Sequence, residues 1–290
     1  MSKRVAVIND LSGLGRCSLS AAISVLSVMG VQPCAIPTAI LTNQTGYDSY
    51  YSYDYTDKID HYTIEWKKRG LTLDGIYTGY LGSAAQVEKI LAFCKEFRKP
   101  GTLLFVDPVM GDWGRVYDVY TPELGEQMRH LVTHADVITP NLTECCLLTD
   151  TDYEDLTSHA NQQDYLSRIE QMARPLTDHG IQTIIITGIT HQAETDTEPK
   201  YYNLIVTKDA CHAVSSPIHG GSYSGTGDLL ASVVCAGMVR GDSAVEAVDV
   251  AVRFLEAALI ETVAEEVPRN DGLNFEPYLS LLFPRNQKTE

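Results

Sequence analysis

The chain is short of positive charge. Lys and Arg number 22 against 38 Asp and Glu in 290 residues, a formal net charge of −16. That deficit excludes a sequence-independent nucleic-acid binder, which needs a basic face against phosphates, and a protein held by charge on anionic lipid. It does not exclude a small phosphate-bearing ligand, which backbone amides and metal ions can hold. No apolar run approaches the ~18–20 residues that span a bilayer, and no signal-like segment follows Met1–Ile8. The seven cysteines (17, 34, 94, 145, 146, 211, 235) contain no C-x-x-C pair and are odd in number. Free thiols in a reducing cytoplasm are therefore expected, with only Cys17, beside a glycine-rich turn, a candidate for reactivity. Gly-Lys-Ser/Thr is absent, which removes a Walker A loop, and H-E-x-x-H is absent, which leaves catalytic zinc unsupported. Repeats and linker-like runs are lacking too, and 44% hydrophobic with 21% charged residues is an ordinary globular composition.

What is there alternates. Val5–Ile8, Gly75–Tyr80, Thr102–Val109, Asp136–Thr139 and Thr183–Gly188 read as short buried strands ended by Gly, Pro or small polar residues. Segments 17–29, 84–98, 121–134, 161–179, 227–240 and 243–263 carry helical spacing. Tyr201–Val206 and Ala210–Val214 read as a hairpin around Lys208–Asp209. This pattern predicts a three-layer α/β/α domain, a mostly parallel central sheet with helices on both faces, whose ligands bind beyond the carboxyl ends of the strands. Residues 284–290 read as a frayed polar tail.

Four motifs follow predicted strands or open predicted helices. Ser224-Gly225-Thr226-Gly227-Asp228 precedes an apolar helix, so its glycines can turn the backbone and its amides can face developing negative charge, with Asp228 ionised in the first turn. A favourable first-turn acid is the plainer account of Asp228. Asp107-Pro108-Val109-Met110-Gly111-Asp112 sets two acids at the sheet's ligand edge, suited to hydrated Mg²⁺ or simply to turns. Thr139-Pro140-Asn141-Leu142-Thr143-Glu144 fits a capping box; it equally fits Asn141 on a phosphate oxygen and Glu144 on a metal-bound water. Asn9-Asp10-Leu11-Ser12-Gly13-Leu14-Gly15 lacks the third glycine of G-x-G-x-x-G, which argues against a nicotinamide site. Six of the 16 tyrosines fall in residues 46–62, read as a loop whose aromatics stack on a flat ligand or form a dimer face, or as a plain solvated segment, with the interface favoured. Trp113, Tyr117 and Tyr120 follow the Asp107/Asp112 pair and read as a flap over phosphates.

Taken in order, these pieces resemble the ribokinase superfamily, and within it the pyridoxal/pyridoxamine (vitamin B6) kinase branch. The resemblance runs from Val5 to about Val263, so 1–290 is expected to be one ribokinase-like domain. It is carried by Asn43-Gln44-Thr45-Gly46-Tyr47, Thr78-Gly79-Tyr80-Leu81-Gly82-Ser83, Asp107–Asp112, Thr139–Glu144, Ile186-Thr187 and Gly225–Asp228. It implies ATP-dependent phosphorylation of the vitamer's 5′-hydroxymethyl group, with Asp228 as the base and the Gly225–Thr226–Gly227 amides stabilising charge on the transferred group. It places Asn141 and Thr187 on ATP phosphates with Asp112 and Glu144. Thr139, Asp107, Asp112 and Glu144 would hold Mg²⁺ and a monovalent cation such as K⁺. Asp10, Thr45 and Tyr80 would line the vitamer pocket, in a homodimer.

One position departs from the pattern: many pyridoxal kinases carry Ser where this chain has Asp10, and hydroxymethylpyrimidine kinases share an Asp-containing loop there. A carboxylate at that point can accept bonds from a ring hydroxyl or pair with a protonated amine, and the second would tilt preference towards pyridoxamine over pyridoxal. Hydroxymethylpyrimidine kinase is the competing reading; such enzymes usually present Cys at the position of Asp228 and Met at that of Tyr80. A non-catalytic vitamer- or nucleotide-binding protein is the alternative from another class. Ser215–Asp228, Phe105–Gly114 and Thr139–Glu144 contain no Lys or Arg, so helix N-termini and metal ions are expected to neutralise the triphosphate, with Arg16 and Arg115 the nearest cations in sequence.

Overall fold

The computed structural model describes residues 2–194 and 196–284; most of the predicted tail lies outside that range. In chain order the elements are β1 (Arg4–Ser12), α1 (Ser18–Val28), β2 (Gln32–Leu41), β3 (Ser52–Asp54), α2 (Ile59–Lys68), β4 (Gly75–Thr78), α3 (Ala84–Phe97), β5 (Leu103–Val106), β6 (Gly111–Asp112), β7 (Arg115–Val116), α4 (Pro122–Val132), β8 (Val137–Ile138), α5 (Leu142–Thr149), α6 (Tyr153–Thr157), α7 (Tyr165–Ala173), β9 (Thr183–His191), β10 (Lys200–Val206), β11 (Cys211–Pro217), α8 (Thr226–Arg240) and α9 (Ala244–Ala264). Nine strands form one sheet in the order β11-β10-β9-β8-β5-β4-β1-β2-β3. Its central six strands run parallel, β3 is antiparallel at one edge, and the β10–β11 hairpin is antiparallel at the other.

Alternation along the strands builds two cores. Ala6, Ile8, Leu104, Val106, Ile184 and Ile186 face the side covered by α2, α3, α4, α5 and α7. Val5, Val7, Tyr77, Phe105, Val137 and Ile185 face α1, α8 and α9. Both faces are dry, which is why these strands read as continuous apolar runs rather than alternating ones. The expected three-layer architecture is therefore present. No helix among the described residues is long and apolar enough to cross a membrane.

Four local differences from expectation have physical reasons. Strand β2 carries Pro33 and Pro37, which argue against a strand. Its outer edge, however, is paired only at Ala39–Leu41, where β3 lies, so neither proline removes a bond from that side. The predicted 161–179 helix is shorter, ending as an α-helix at Ala173 and continuing as a 3₁₀ turn (Arg174–His179) because Pro175 cannot sustain the α pattern. The tyrosine-rich stretch is not a bare loop: it folds into β3, a 3₁₀ turn and helix α2. All seven thiols are free, and burial beside Asp228 and Asp10 pushes the Cys17 thiol up to about 12, so it is inert rather than reactive.

Candidate active site

The parallel strands end in register. Ile8, Thr78, Val106, Ile138 and Ile184 pair across β1, β4, β5, β8 and β9 in one row. The next residues, Asn9, Gly79, Asp107 and Thr139, therefore emerge side by side at the carboxyl edge. Between β1 and β4 the strand order reverses, the crevice where open α/β sheets take their ligands. A cleft of about 970 Å³ opens there, lined by every residue assigned above to catalysis, nucleotide, vitamer or metal.

Asp228 sits at the third position of α8, half-buried, behind Gly225 at the N-cap with φ +81°. A Cβ on Gly225 would fall 2.0 Å from the Arg16 carbonyl oxygen, so only glycine lets this loop lie against the turn after β1. Gly227 meets nothing and leaves the helix terminus open toward the cleft. The Thr226 hydroxyl donates to the Tyr223 carbonyl at 2.9 Å, so it secures the turn. Burial pushes the Asp228 carboxyl up to about 6; hydrogen bonds from the Ser18 amide and Asn9 oppose the rise. The carboxyl thus titrates closer to neutrality than an ordinary one while remaining largely ionised at pH 7, as expected of a first-turn acid.

Asn9 is the residue that motif reasoning passed over. Its Nδ2 donates to Asp228 Oδ1 at 3.0 Å, and its Oδ1 accepts from the Asp10 amide at 3.0 Å and the Tyr80 amide at 2.8 Å. One buried side chain so ties Asp228 to the backbone of Asp10 and Tyr80. Gly79 exists for it, since a Cβ there would lie 2.4 Å from Asn9 Nδ2. The available signal was a polar residue directly after the apolar run Val5–Ile8. Ser18, at φ +51° in the first turn of α1, gave no such signal. Its amide and hydroxyl reach Asp228 and Asp10 only because the chain folds back on itself.

Asp10 is buried, and Ser12 Oγ donates to its Oδ2 at 2.9 Å; burial raises its carboxyl above the ordinary range. Tyr80 is half-buried beside it, and its phenol is pushed up by burial and by the Asp10 charge. Thr45 is exposed on the same wall.

On the opposite side the capping box is real. Asn141 Oδ1 accepts from the Glu144 amide at 3.0 Å, and Glu144 Oε2 accepts from the Asn141 amide at 2.8 Å. Asn141 Nδ2 also donates to the Gly111 carbonyl at 2.8 Å, and Glu144 Oε1 accepts from the Met110 amide at 3.1 Å. The pair therefore anchors the segment that carries Asp112 as well as starting α5. Asn141 keeps one amide hydrogen, and Thr187 bridges it as an added strand pair.

Thr139 Oγ1 donates to Asp107 Oδ1 at 3.2 Å. Burial and the Asp228 charge push the Asp107 carboxyl up, and burial with the Asp107 charge pushes Glu144 up. Three carboxyls held against their own repulsion suit a cation. Among the described residues, however, no three His, Cys, Asp or Glu side chains form a closed metal set. Each Glu144 oxygen accepts one backbone amide, an arrangement compatible with the carboxylate acting on a metal-bound water. The donors fit Mg²⁺ kept largely hydrated and held by one or two carboxylates plus phosphate.

Charge accounting in the cleft also departs from expectation. Arg16 is paired with Glu276 at 2.7 Å instead, and among the described residues the Lys or Arg side chain that lines the cleft is Arg269, 41 residues after Asp228.

Known proteins share this arrangement. A family model described as phosphomethylpyrimidine kinase matches residues 15–270. A Bacteroides thetaiotaomicron protein described provisionally as a phosphomethylpyrimidine kinase, and crystallised with pyridoxal, superposes with a TM-score of 0.89 at 37% identity, covering 99% of this chain and 98% of its own. Pyridoxal kinase from Lactobacillus plantarum superposes with a TM-score of 0.83 at 27% identity over 97% and 96%. A pyridoxine/pyridoxal/pyridoxamine kinase of Bordetella avium is 29% identical over 256 residues, 84% of this chain and 80% of the relative. With the family match spanning most of the sequence and the same fold carrying it, the chain belongs to the phosphomethylpyrimidine kinase family.

Proposed function

We propose that this protein transfers the γ-phosphate of ATP to the 5′-hydroxymethyl group of a B6 vitamer. The observation that carries the reading is Asp228, held by Asn9 at the open N-terminus of α8, in a cleft that runs from Asp10 and Tyr80 to Asn141 and Thr187. In this reading Asp228 accepts the alcohol proton as the oxygen attacks phosphorus. The amides of Gly225, Thr226 and Gly227 face the charge that develops on the transferred group. Asn9 fixes the carboxylate while its other end holds the Tyr80 amide, so base and vitamer wall move together. Asn141 and Thr187 take phosphate oxygens. Asp107, Asp112 and Thr139 would hold Mg²⁺, with K⁺ nearby, and Glu144 would act through bound water; the metal supplies neutralisation of the phosphates. The β6–β7 segment, with Trp113 and Tyr117 exposed at the cleft, forms the flap. Relatives named as B6-vitamer kinases and the Bacteroides structure holding pyridoxal support the substrate class.

Coupled ADP release with pyridoxal, pyridoxamine, pyridoxine and hydroxymethylpyrimidine tests it. Turnover of the vitamers with kcat/KM at least tenfold above hydroxymethylpyrimidine is expected. The reverse order would assign the protein to pyrimidine phosphorylation, and no ADP with any of them would make it a binding protein. A cytoplasmic homodimer, with the exposed Tyr51 and Tyr53 edge in the contact, belongs to the same reading; a monomeric mass by light scattering would remove the dimer.

A further inference from the structure

Among the described residues the cleft is lined by seven carboxylates and a single Lys or Arg, Arg269. Its guanidinium makes no ion pair or hydrogen bond within the described residues, and its charge pulls against the rise of the Asp112 carboxyl. Arg269 is also anchored where the chemistry would occur. Its carbonyl accepts from the Ser224 amide at 3.1 Å, immediately before Gly225. The turn that bears it, Arg269–Asp271, is fastened to the vitamer-side loop. Gln44 Nε2 donates to the Asn270 carbonyl at 3.1 Å, Asn270 Nδ2 donates to the Gly46 carbonyl at 2.6 Å, and Tyr47 Oη donates to Asp271 Oδ1 at 2.5 Å. Arg16 completes the brace through its amide, which donates to the Asp271 carbonyl at 3.2 Å. Gly272 (φ +80°) closes the turn where a Cβ would fall 2.9 Å from the Arg16 side chain and 3.0 Å from the Ser224 carbonyl oxygen.

We propose that Arg269 binds the γ-phosphate of the nucleotide and stays on it through transfer, as a catalytic residue of this site. The proposal rests on the kinase reading above for the identity of the reaction. The physical need is plain: a polyanion enters a cleft whose own side chains are overwhelmingly anionic. A guanidinium presents a planar fork of donors matched to phosphate oxygens, and it cannot lose its charge. In the transfer, the vitamer oxygen forms its bond to phosphorus and gives its proton to Asp228. The bond from phosphorus to the ADP oxygen breaks, and that oxygen leaves with the electron pair. Arg269 forms no bond and moves no proton; it neutralises charge on the migrating group, the role arginines play in other phosphoryl transfers. The brace from Gln44, Tyr47 and Asn270 adds a consequence. The loop that carries Thr45, on the vitamer wall, positions the arginine, so vitamer binding and γ-phosphate contact are mechanically linked.

The test separates ATP from ADP. Calorimetric titration of Arg269→Ala and Arg269→Lys should show ATP bound about tenfold more weakly than by wild type, with ADP affinity within about twofold, since only ATP has the γ-phosphate. In turnover, Arg269→Ala should lower kcat by ~10²-fold or more, and free guanidinium should restore part of it. Equal weakening of ATP and ADP, unchanged affinity for both, or a kcat loss that guanidinium does not relieve would each overturn the assignment. The ATP/ADP difference needs no vitamer, so it stands or falls separately from the outcome of the substrate panel.

Discussion

At the scale of the residue, the site turns on how one carboxylate is held. Asp228 rises to about 6 because burial costs its charged form more than the bonds from Ser18 and Asn9 return. A base works deprotonated, so kcat/KM should fall as pH drops through about 6, and that acid limb should disappear from whatever activity remains in Asp228→Asn. The same variant should bind ATP nearly normally while losing at least ~10² in kcat; near-normal turnover would remove Asp228 as the base. Asp10 carries a second prediction. Replacing it by Ser should lower the ratio of pyridoxamine to pyridoxal kcat/KM, because a buried carboxylate held by Ser12 can pair its charge with a protonated amine, whereas a hydroxyl offers only a weaker, neutral acceptor. An unchanged ratio would show that Asp10 does not read the amine. Both acids carried visible signals in the sequence, a glycine-rich helix start and a polar residue after a strand. Asn9 carried a fainter one, and nothing local marked Ser18, whose partners lie across the fold.

At the scale of the element, loops are positioned by what their glycines and caps allow. Gly225 combines φ +81° with an approach that a Cβ would turn into a 2.0 Å clash with backbone. Gly225→Ala should therefore destabilise the protein by about 2–4 kcal/mol and abolish turnover, measurable by denaturant titration and coupled assay. The Asn141/Glu144 box shows how two readings of one motif coexist. The box starts α5, yet the same side chains hold Gly111 and Met110 and so place the segment bearing Asp112. The sequence spacing made the box legible; the bonds to Gly111 and Met110, 30 or more residues away, were not, because they are made only when β5 and β8 lie side by side. Helix α2 was missed for a related reason. Its tyrosine-rich approach reads as loop composition, while its place is decided by packing, with Ile59 buried and Trp66 edge-on to Phe93 and Phe97 of α3.

At the scale of the molecule, the excess of acid bears on stability as well as ligand choice. Asp107 binds its proton more tightly in the folded protein than in the unfolded chain. Stability it contributes at low pH is therefore lost as pH rises from about 4, the ordinary carboxylate value, toward neutrality and beyond. In the absence of divalent cation, Asp107→Asn should be more stable than wild type at pH 8 by about 1–3 kcal/mol and differ little at pH 4–5. Denaturant midpoints at the two pH values check this, and a difference that does not grow with pH would mean that Asp107 is not under electrostatic stress. Removing divalent cations with EDTA should abolish nucleotide turnover, since among the described residues only Arg269 and the helix termini offset seven cleft carboxylates and a triphosphate.

The sequence by itself determined the layered architecture, because runs such as Val5–Ile8 and Thr183–Ile186 are apolar on both faces and can only be strands buried between helices. It marked candidate positions as well, because Asp107 and Thr139 stand where apolar strands stop and Asp228 where a glycine-rich loop opens an apolar helix. Tertiary structure alone decided what those groups become. It put Asn9 between Asp228 and the backbone of Asp10 and Tyr80, raised the Asp228 carboxyl to about 6, and gave each Glu144 oxygen an amide partner. It also carried Arg269 into a cleft whose neighbouring segments hold no cation of their own. The reason is physical: periodicity and propensity are local along the chain. Desolvation, charge repulsion and hydrogen bonding depend on distances in space, which are set only when the strands have paired and their ends have come together.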